Sequence, residues 1–349
     1  MTAIYAFLAS IAGYAAITVL FPALGLLDFP ERYGMKREKL PYPAGIVAVV
    51  IFLFFFLWQS EFRMQQIGVV CALSLLGIMT FVDDRHPLPP LLRLFIQTLA
   101  AITVFVVGSR IYTITNPLGG ILKLDSVVLP TLYFGNLPLW SGVFTVFWLL
   151  LTTNALNWLD GIPGQVSIVS AVAFLMLGLL ALYRNGEPGI AEMAFILGGI
   201  ALAGSLFDIP PAKVVMGDTG SMFFGFMLGL LGIYSGGKVA TVFLALGLPL
   251  FDSLFVIIRR LSRGDSPLKG GRDHLHHLLL DAGFSERKVI VLTASVGTLF
   301  GLGALFMNTS QKGISILALG MIVALLTRYV NNKKKVSSSD QKPSGPPSQ

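Results

Sequence analysis

Apolar residues gather along this chain into long stretches at approximately 2–27, 44–58, 65–82, 92–110, 139–157, 165–184, 190–208, 214–234, 238–259, 288–308 and 312–330. Short polar or Gly/Pro-containing breaks separate them. A helix rises about 1.5 Å per residue, so about 20 apolar residues cross a hydrocarbon layer roughly 30 Å thick. The pattern predicts an all-α, polytopic integral membrane protein with about eleven transmembrane helices. The second stretch is short and begins after Pro41 and Pro43. The first has no Lys or Arg ahead of it and no convincing small-residue cleavage site, so it reads as a span and not as a signal peptide. Residues 331–349 (NNKKKVSSSDQKPSGPPSQ) are basic and then Ser/Pro-rich. They predict a disordered tail behind a single transmembrane catalytic domain over 1–330.

Composition sharpens that picture. Apolar residues make up 54% and charged residues 12%, with a mean hydropathy of +0.77; a soluble chain of this size would carry roughly twice that charge. The single cysteine, Cys71, excludes an intramolecular disulfide scaffold. Counted along eleven alternating spans, 19 of the 25 Lys and Arg residues fall on one side. The positive-inside rule places that side in the cytoplasm, with the amino terminus outside and the carboxyl terminus inside, in the cell's inner (plasma) membrane. The net charge of +7 is therefore mainly a topology signal. No basic stripe interleaves with aromatics on a soluble element, so nucleic acid is not an expected partner.

The same parity puts four polar clusters on the cytoplasmic side: MTFVDDRHPL (79–88), NALNWLDGIPG (154–164), PPAKVVMGDTGS (210–221) and RRLSRGDSPLKGGRDHLHH (259–277). Asp83 and Asp84 end an apolar helix. Adjacent carboxylates repel unless a cation or proton intervenes, which suggests metal or acid–base work, although a polar helix end at the membrane surface also fits. Asp218 opens a helix after Gly217. Free N–H groups at a helix start favour phosphate, and a carboxylate beside phosphate implies a hard cation, Mg²⁺ being held by one or two carboxylates plus substrate phosphates; simple helix capping is the competing explanation. Asn154, Asn157 and Asp160, at i, i+3 and i+6, lie on one drifting helical stripe before a Gly/Pro break. Their amides suit a base or sugar and the aspartate a proton or metal, but a polar helix terminus fits the same spacing. His274, His276 and His277 lack the spacing of a zinc site and, among Arg and Lys, look like donors to a pyrophosphate.

Together these motifs resemble the polyprenyl-phosphate N-acetylhexosamine-1-phosphate transferases, the superfamily that includes MraY. The resemblance runs from about GLLDFP (25–30) to the last span, through DDR, NALNWLDG, PPAKVVMGDTGS, PLFDSLFVIIRRLSRGDSPL and RDHLHH in order. The RDHLHH form is similar to the WecA and TagO branch, which transfers GlcNAc-1-phosphate. The resemblance implies attack of undecaprenyl phosphate on the β-phosphorus of a UDP-N-acetylhexosamine, with release of UMP and the start of a cell-envelope glycan. It implies Mg²⁺ (or Mn²⁺) on Asp218, Asp83 acting on the lipid phosphate, and Asp84 supporting it. Asp160, Asn154 and Asn157 would meet the nucleotide-sugar, and Arg272, His274, His276 and His277 its phosphates or sugar. A basic contribution from Lys36 or Lys39 and a homodimer are implied as well. The chain departs from the family pattern at Pro163, where a second aspartate usually stands, at Val215, usually aromatic, at Asp208, usually asparagine, and at Pro41–Gly45, usually Pro-x-x-Gly-Gly. An MraY-like phospho-N-acetylmuramoyl-pentapeptide transferase, a catalytically impaired homologue and a membrane transporter are the alternative readings. Most ionisable residues here lie at span ends and not at the midplane, which favours the enzyme over the transporter.

Overall fold

The computed structural model describes residues 1–33, 37–59, 63–116, 119–236, 239–266 and 271–339. The helices are α1 (Thr2–Ala23), α2 (Gly45–Gln59), α3 (Met64–Arg85), α4 (Pro90–Val106), α5 (Leu139–Leu159), α6 (Gln165–Leu180), α7 (Pro188–Asp208), α8 (Gly217–Tyr234), α9 (Val239–Ala245), α10 (Gly247–Ser262), α11 (Leu275–Asp281), α12 (Glu286–Phe306) and α13 (Thr309–Ser339). The protein is a polytopic helical membrane protein, and each of the eleven apolar stretches is helical.

Fewer than eleven of these helices are, by length and composition, long enough to span a membrane on their own. Among the described residues seven helices are long and apolar enough to span a membrane: α1, α3, α5, α6 with the π-turn that extends it, α7, α12 and α13. α9 and α10, bent by 94° at their junction, make an eighth if they form one span. α2 and α4 are apolar but shorter, and α8 spends its first turn on Gly-Asp-Thr-Gly-Ser. A helix of 15 residues such as α2 rises only about 22 Å. Hydropathy thus located the helices but overstated how many meet the spanning length.

α8 is the central helix. Apart from Asp218, its residues from Gly217 to Ile233 are buried, and it packs against α2, α3, α5, α6 and α7. Gly225 and Gly229 let it approach α5: a β-carbon at Gly225 would lie 2.6 Å from the Thr152 carbonyl oxygen. α1 is apolar all round but buries one stripe, Ala6, Ser10, Tyr14, Ile17 and Phe21, at spacings of three and four residues. Its remaining large apolar side chains, such as Leu8 and Val19, are exposed, as a lipid-facing helix requires.

Between the apolar stretches 92–110 and 139–157 the chain folds into two antiparallel hairpins, β1 (Thr113–Thr115) with β2 (Ile121–Lys123) and β3 (Val128–Thr131) with β4 (Gly135–Pro138). Strands of three or four residues carry too little periodicity to stand out in the sequence. A second apolar cluster joins α10, α11, α12 and α13. Leu275, Leu278 and Leu279 anchor α11 there, each stabilising by about 1.5–3 kcal/mol when fully buried. That anchorage fixes the two histidines between them. α13 continues to Ser339; residues 340–349 lie outside the described residues.

Candidate active site

The acidic end of α3 and the start of α8 meet directly. Asp84, buried, accepts the backbone N–H groups of Asp218 at 2.9 Å and Thr219 at 3.0 Å, the Thr219 hydroxyl at 2.6 Å, and the Tyr42 hydroxyl. Its carboxylate is the cap of α8, satisfying N–H groups that a helix start leaves without intrahelical partners. Gly217 is required at this junction: it has φ +75°, and a β-carbon there would lie 2.9 and 3.1 Å from the Asp84 carboxylate oxygens.

Asp83 points elsewhere. It accepts the Leu88 N–H at 2.7 Å and sits 3.0 Å from Arg93 Nη1. Arg93 Nη2 reaches Asp218 at 2.8 Å and donates to Asn157 Oδ1 at 3.1 Å. One guanidinium from α4 therefore ties together α3, α5 and α8. Asn157 also donates to the Ser221 hydroxyl at 3.2 Å, and Asn154 donates to Gln97 Oε1 at 2.7 Å. The stripe read from the sequence faces α4 and α8. Asp160, just past α5, accepts a backbone hydrogen bond from Gly217. Burial pushes its carboxyl well above the usual carboxylate range; the charges of Asp218, Asp208 and Asp84 add to the rise and the Gly217 bond opposes it.

The histidines join this cluster through Gly161. A β-carbon on Gly161 would lie 2.3 Å from His276 Nε2 and 3.1 Å from His277 Cε1, so only glycine allows the approach. His276 stacks on His274 with ring centroids 6.0 Å apart, and His274 lies 5.4 Å from the Trp158 ring. His274 Nδ1 is 2.8 Å from Asp252 Oδ2, whose other oxygen accepts the Leu275 N–H at 2.8 Å. Burial pushes the His276 imidazole well below its usual 6.5, with the nearby His277, His274 and Arg272 charges adding to the effect; His277 is lowered mainly by burial as well. His276 Nε2 and His277 Nδ1 are buried and have no hydrogen-bond partner among the described residues.

Asp83, Asp84, Asn154, Asn157, Asp160, Asp218, His276 and His277 are thus brought together at one end of the bundle. His274 stands behind them, held by Asp252. Arg272 lies at the edge, its Nη2 3.2 Å from Asp281. Lys39 stands over the Phe29 ring, 5.3 Å from its centroid, and not against the carboxylates. Lys36 lies outside the described residues. The first polar loop reaches the site by another residue: Ala44 N–H and Gly45 N–H bond the carbonyls of Val215 and Met216, which carries Tyr42 to Asp84.

Arg93, Gln97, Tyr42, Thr219 and Ser221 were missed by sequence reasoning. A signal existed for two of them. Arg93 and Gln97, four residues apart in the apolar run PLLRLFIQTLA, share a helix face, and a charge inside an apolar helix marks a functional or paired position. At Pro163 the usual carboxylate is absent, but Asp208 of α7 accepts hydrogen bonds from the Ser167 hydroxyl and the Gly164 backbone, placing a buried carboxylate at the start of α6 from another helix.

Fold and site define a polytopic membrane protein with an acidic, glycine-lined centre where the ends of α3, α5 and α8 converge on a histidine-bearing segment. The chain belongs to Glycosyl transferase family 4, whose family model matches residues 66–236, from α3 through α8. A probable undecaprenyl-phosphate N-acetylglucosaminyl 1-phosphate transferase of Bacillus subtilis is 27% identical over 329 residues, covering 89% of this chain and 87% of that protein. The undecaprenyl-phosphate alpha-N-acetylglucosaminyl 1-phosphate transferase of Yersinia pestis is 30% identical over 319 residues, covering 86% and 81%. That of Escherichia coli is 29% identical over 298 residues, covering 81% and 77%. The family read from the five ordered motifs is the family these comparisons give. His274, His276 and His277 lie beyond the matched residues.

Proposed function

We propose that the protein transfers N-acetylhexosamine-1-phosphate, GlcNAc-1-phosphate first among them, from a UDP-sugar to undecaprenyl phosphate, releasing UMP and starting a cell-envelope glycan at the cytoplasmic face of the plasma membrane. The observation that carries this reading is the Asp83–Arg93–Asp218 linkage, which joins the two acidic motifs around one guanidinium. An oxygen of the lipid phosphate forms a bond to the β-phosphorus. The bond from that phosphorus to the α–β bridging oxygen breaks, and the electron pair leaves with UMP. Such transfers depend on positioning and charge neutralisation more than on covalent chemistry by the protein.

The donor set suits Mg²⁺. Asp83, Asp84, Asp160 and Asp218 are four carboxylates, and Arg93 is the cationic side chain that contacts them among the described residues. Mg²⁺ is held by one or two carboxylates and completed by substrate phosphates. Asp218 is the candidate to hold it, since the oxygens of Asp84 are committed to α8 and Asp83 faces Arg93 and the Leu88 N–H. Bound there, Mg²⁺ would supply neutralisation of the pyrophosphate charge.

The protein's own groups then divide the work. Asp83 orients the acceptor phosphate and takes any proton it carries. Arg93 keeps Asp83 and Asp218 in register. Asn154, Asn157 and Asp160 face the nucleotide-sugar. His276 Nε2 and His277 Nδ1, which have no hydrogen-bond partner among the described residues, find partners on the donor's phosphates or sugar, with Arg272 at the rim.

The test is transfer of radiolabel from UDP-GlcNAc to undecaprenyl phosphate by the purified protein, with and without Mg²⁺, with UMP measured in parallel. Label in the lipid phase that requires Mg²⁺ and matches UMP is the expected result, lost in Asp218→Asn. An intact Asp218→Asn protein with full Mg²⁺-dependent turnover would remove the metal assignment, and label transfer without UMP would remove the reaction.

A further inference from the structure

A cleft of about 370 Å³ opens between the carboxyl-terminal halves of α10 and α13, lined by Phe255, Arg259, Ala324, Thr327, Arg328 and Asn332. It lies at the same end of the bundle as the carboxylates, because Arg259 bonds the Asp273 carbonyl at 3.0 Å, next to His274. Several arginines at this end of the bundle are already paired. Arg260 turns inward, is buried and pairs with the Asp273 carboxylate at 3.1 Å; Arg37, Arg93 and Arg272 each face a carboxylate as well. Arg259 and Arg328 face none among the described residues.

The surface leading to the cleft is apolar and exposed. Ile258 and Leu261 of α10 and Leu317, Met321 and Leu325 of α13 are each about 60% exposed or more. In a membrane protein such a surface meets acyl chains. Two guanidiniums without carboxylates at its polar end favour a phosphate, for which arginine's fork of donors is suited. The Thr327 hydroxyl and Asn332 amide add neutral polar groups, which suit an uncharged polyol substituent. An ammonium headgroup would meet like charge.

We propose that this cleft binds the headgroup of an anionic phospholipid of the phosphatidylglycerol type, its phosphate between Arg259 and Arg328 and its chains along α10 and α13. Basic pockets between membrane helices recognise anionic lipid headgroups in this way. None of the residues lining the cleft is among those assigned above to the donor, the acceptor or the metal, and the proposal does not depend on the transferase reading.

Native mass spectrometry of the full-length protein, released from detergent with equal amounts of phosphatidylglycerol and phosphatidylcholine of matched chains, tests the assignment. Wild type should retain phosphatidylglycerol selectively, and Arg259→Gln/Arg328→Gln should lose about tenfold or more of it, given about 1 kcal/mol per basic residue near a lipid surface. Ala324→Trp, which fills the cleft but keeps both arginines, should lose it too. Arg263→Gln/Arg287→Gln removes equal charge at the same end of the bundle and should retain it. The proposal fails if the Arg259/Arg328 variant keeps phosphatidylglycerol as wild type does, or if the Arg263/Arg287 variant loses as much. It fails equally if inorganic phosphate displaces the lipid, or if undecaprenyl phosphate takes the cleft in preference to it.

Discussion

Asp84 caps the helix on which Asp218 stands, its carboxylate accepting the Asp218 backbone N–H at 2.9 Å. Two carboxylates 134 residues apart are thereby held at a fixed offset, one serving as scaffold and the other meeting Arg93 at 2.8 Å. The adjacent pair Asp83–Asp84, alike in sequence, is divided in the same way: Asp84 is saturated by Tyr42, Asp218 and Thr219, while Asp83 faces Arg93.

Replacing Asp84 by Asn puts an amide donor among four donors. Hydrogen bonds to charged groups are worth about 1.5–3 kcal/mol each, and α8 is the central helix. Asp84→Asn is expected to lower the unfolding temperature by several degrees and to abolish transfer. Tyr42→Phe, which removes one of the donors, should keep most of the stability. Thermal unfolding in detergent alongside the transfer assay checks both; an unchanged melting temperature in Asp84→Asn would contradict the capping role.

Arg93 contacts Asp83, Asp218 and Asn157 through a planar fork. Lysine carries the charge but has no fork. Arg93→Lys is expected to fold and to lose about 10- to 100-fold in kcat/KM, the range that a displacement of about 1 Å in a positioned site produces. Steady-state kinetics at saturating Mg²⁺ decides it, and wild-type kinetics would show that charge alone suffices.

At Gly161 any β-carbon collides with the His276 ring, 2.3 Å from Nε2. Gly161→Ala should displace His276, raising KM for the UDP-sugar more than it lowers kcat. Equal effects on an inert control position such as Gly189, beside which no atom lies within 4 Å of a β-carbon, would refute the contact.

His276 and His277 have pKa values lowered from 6.5. The unfolded chain then binds protons that the folded chain does not, so stability rises with pH in that window. The stabilisation is complete above about pH 6.5 and declines as pH falls from there through the folded-state values. Thermal unfolding at pH 5 and pH 7.5 should show a smaller acid-induced loss in His276→Gln than in wild type; an identical loss would remove His276 as its source.

The sequence alone determined that the chain is helical and membrane-embedded, because hydropathy is a property of neighbouring residues and survives without knowledge of the fold. It also singled out the candidate positions, since Asp83, Asp84, Asn154, Asn157, Asp160, Asp218 and the His274–His277 run stand as polar groups at the ends of apolar stretches. Which carboxylate is scaffold and which ones meet Arg93, the recruitment of Arg93 and Tyr42, the need for glycine at 161 and 217, and the supply of a carboxylate by Asp208 near Pro163 were decided only by the tertiary structure. Each depends on atoms brought within about 3 Å of one another from distant parts of the chain, where hydrogen bonds form over a range too short for spacing along the sequence to predict.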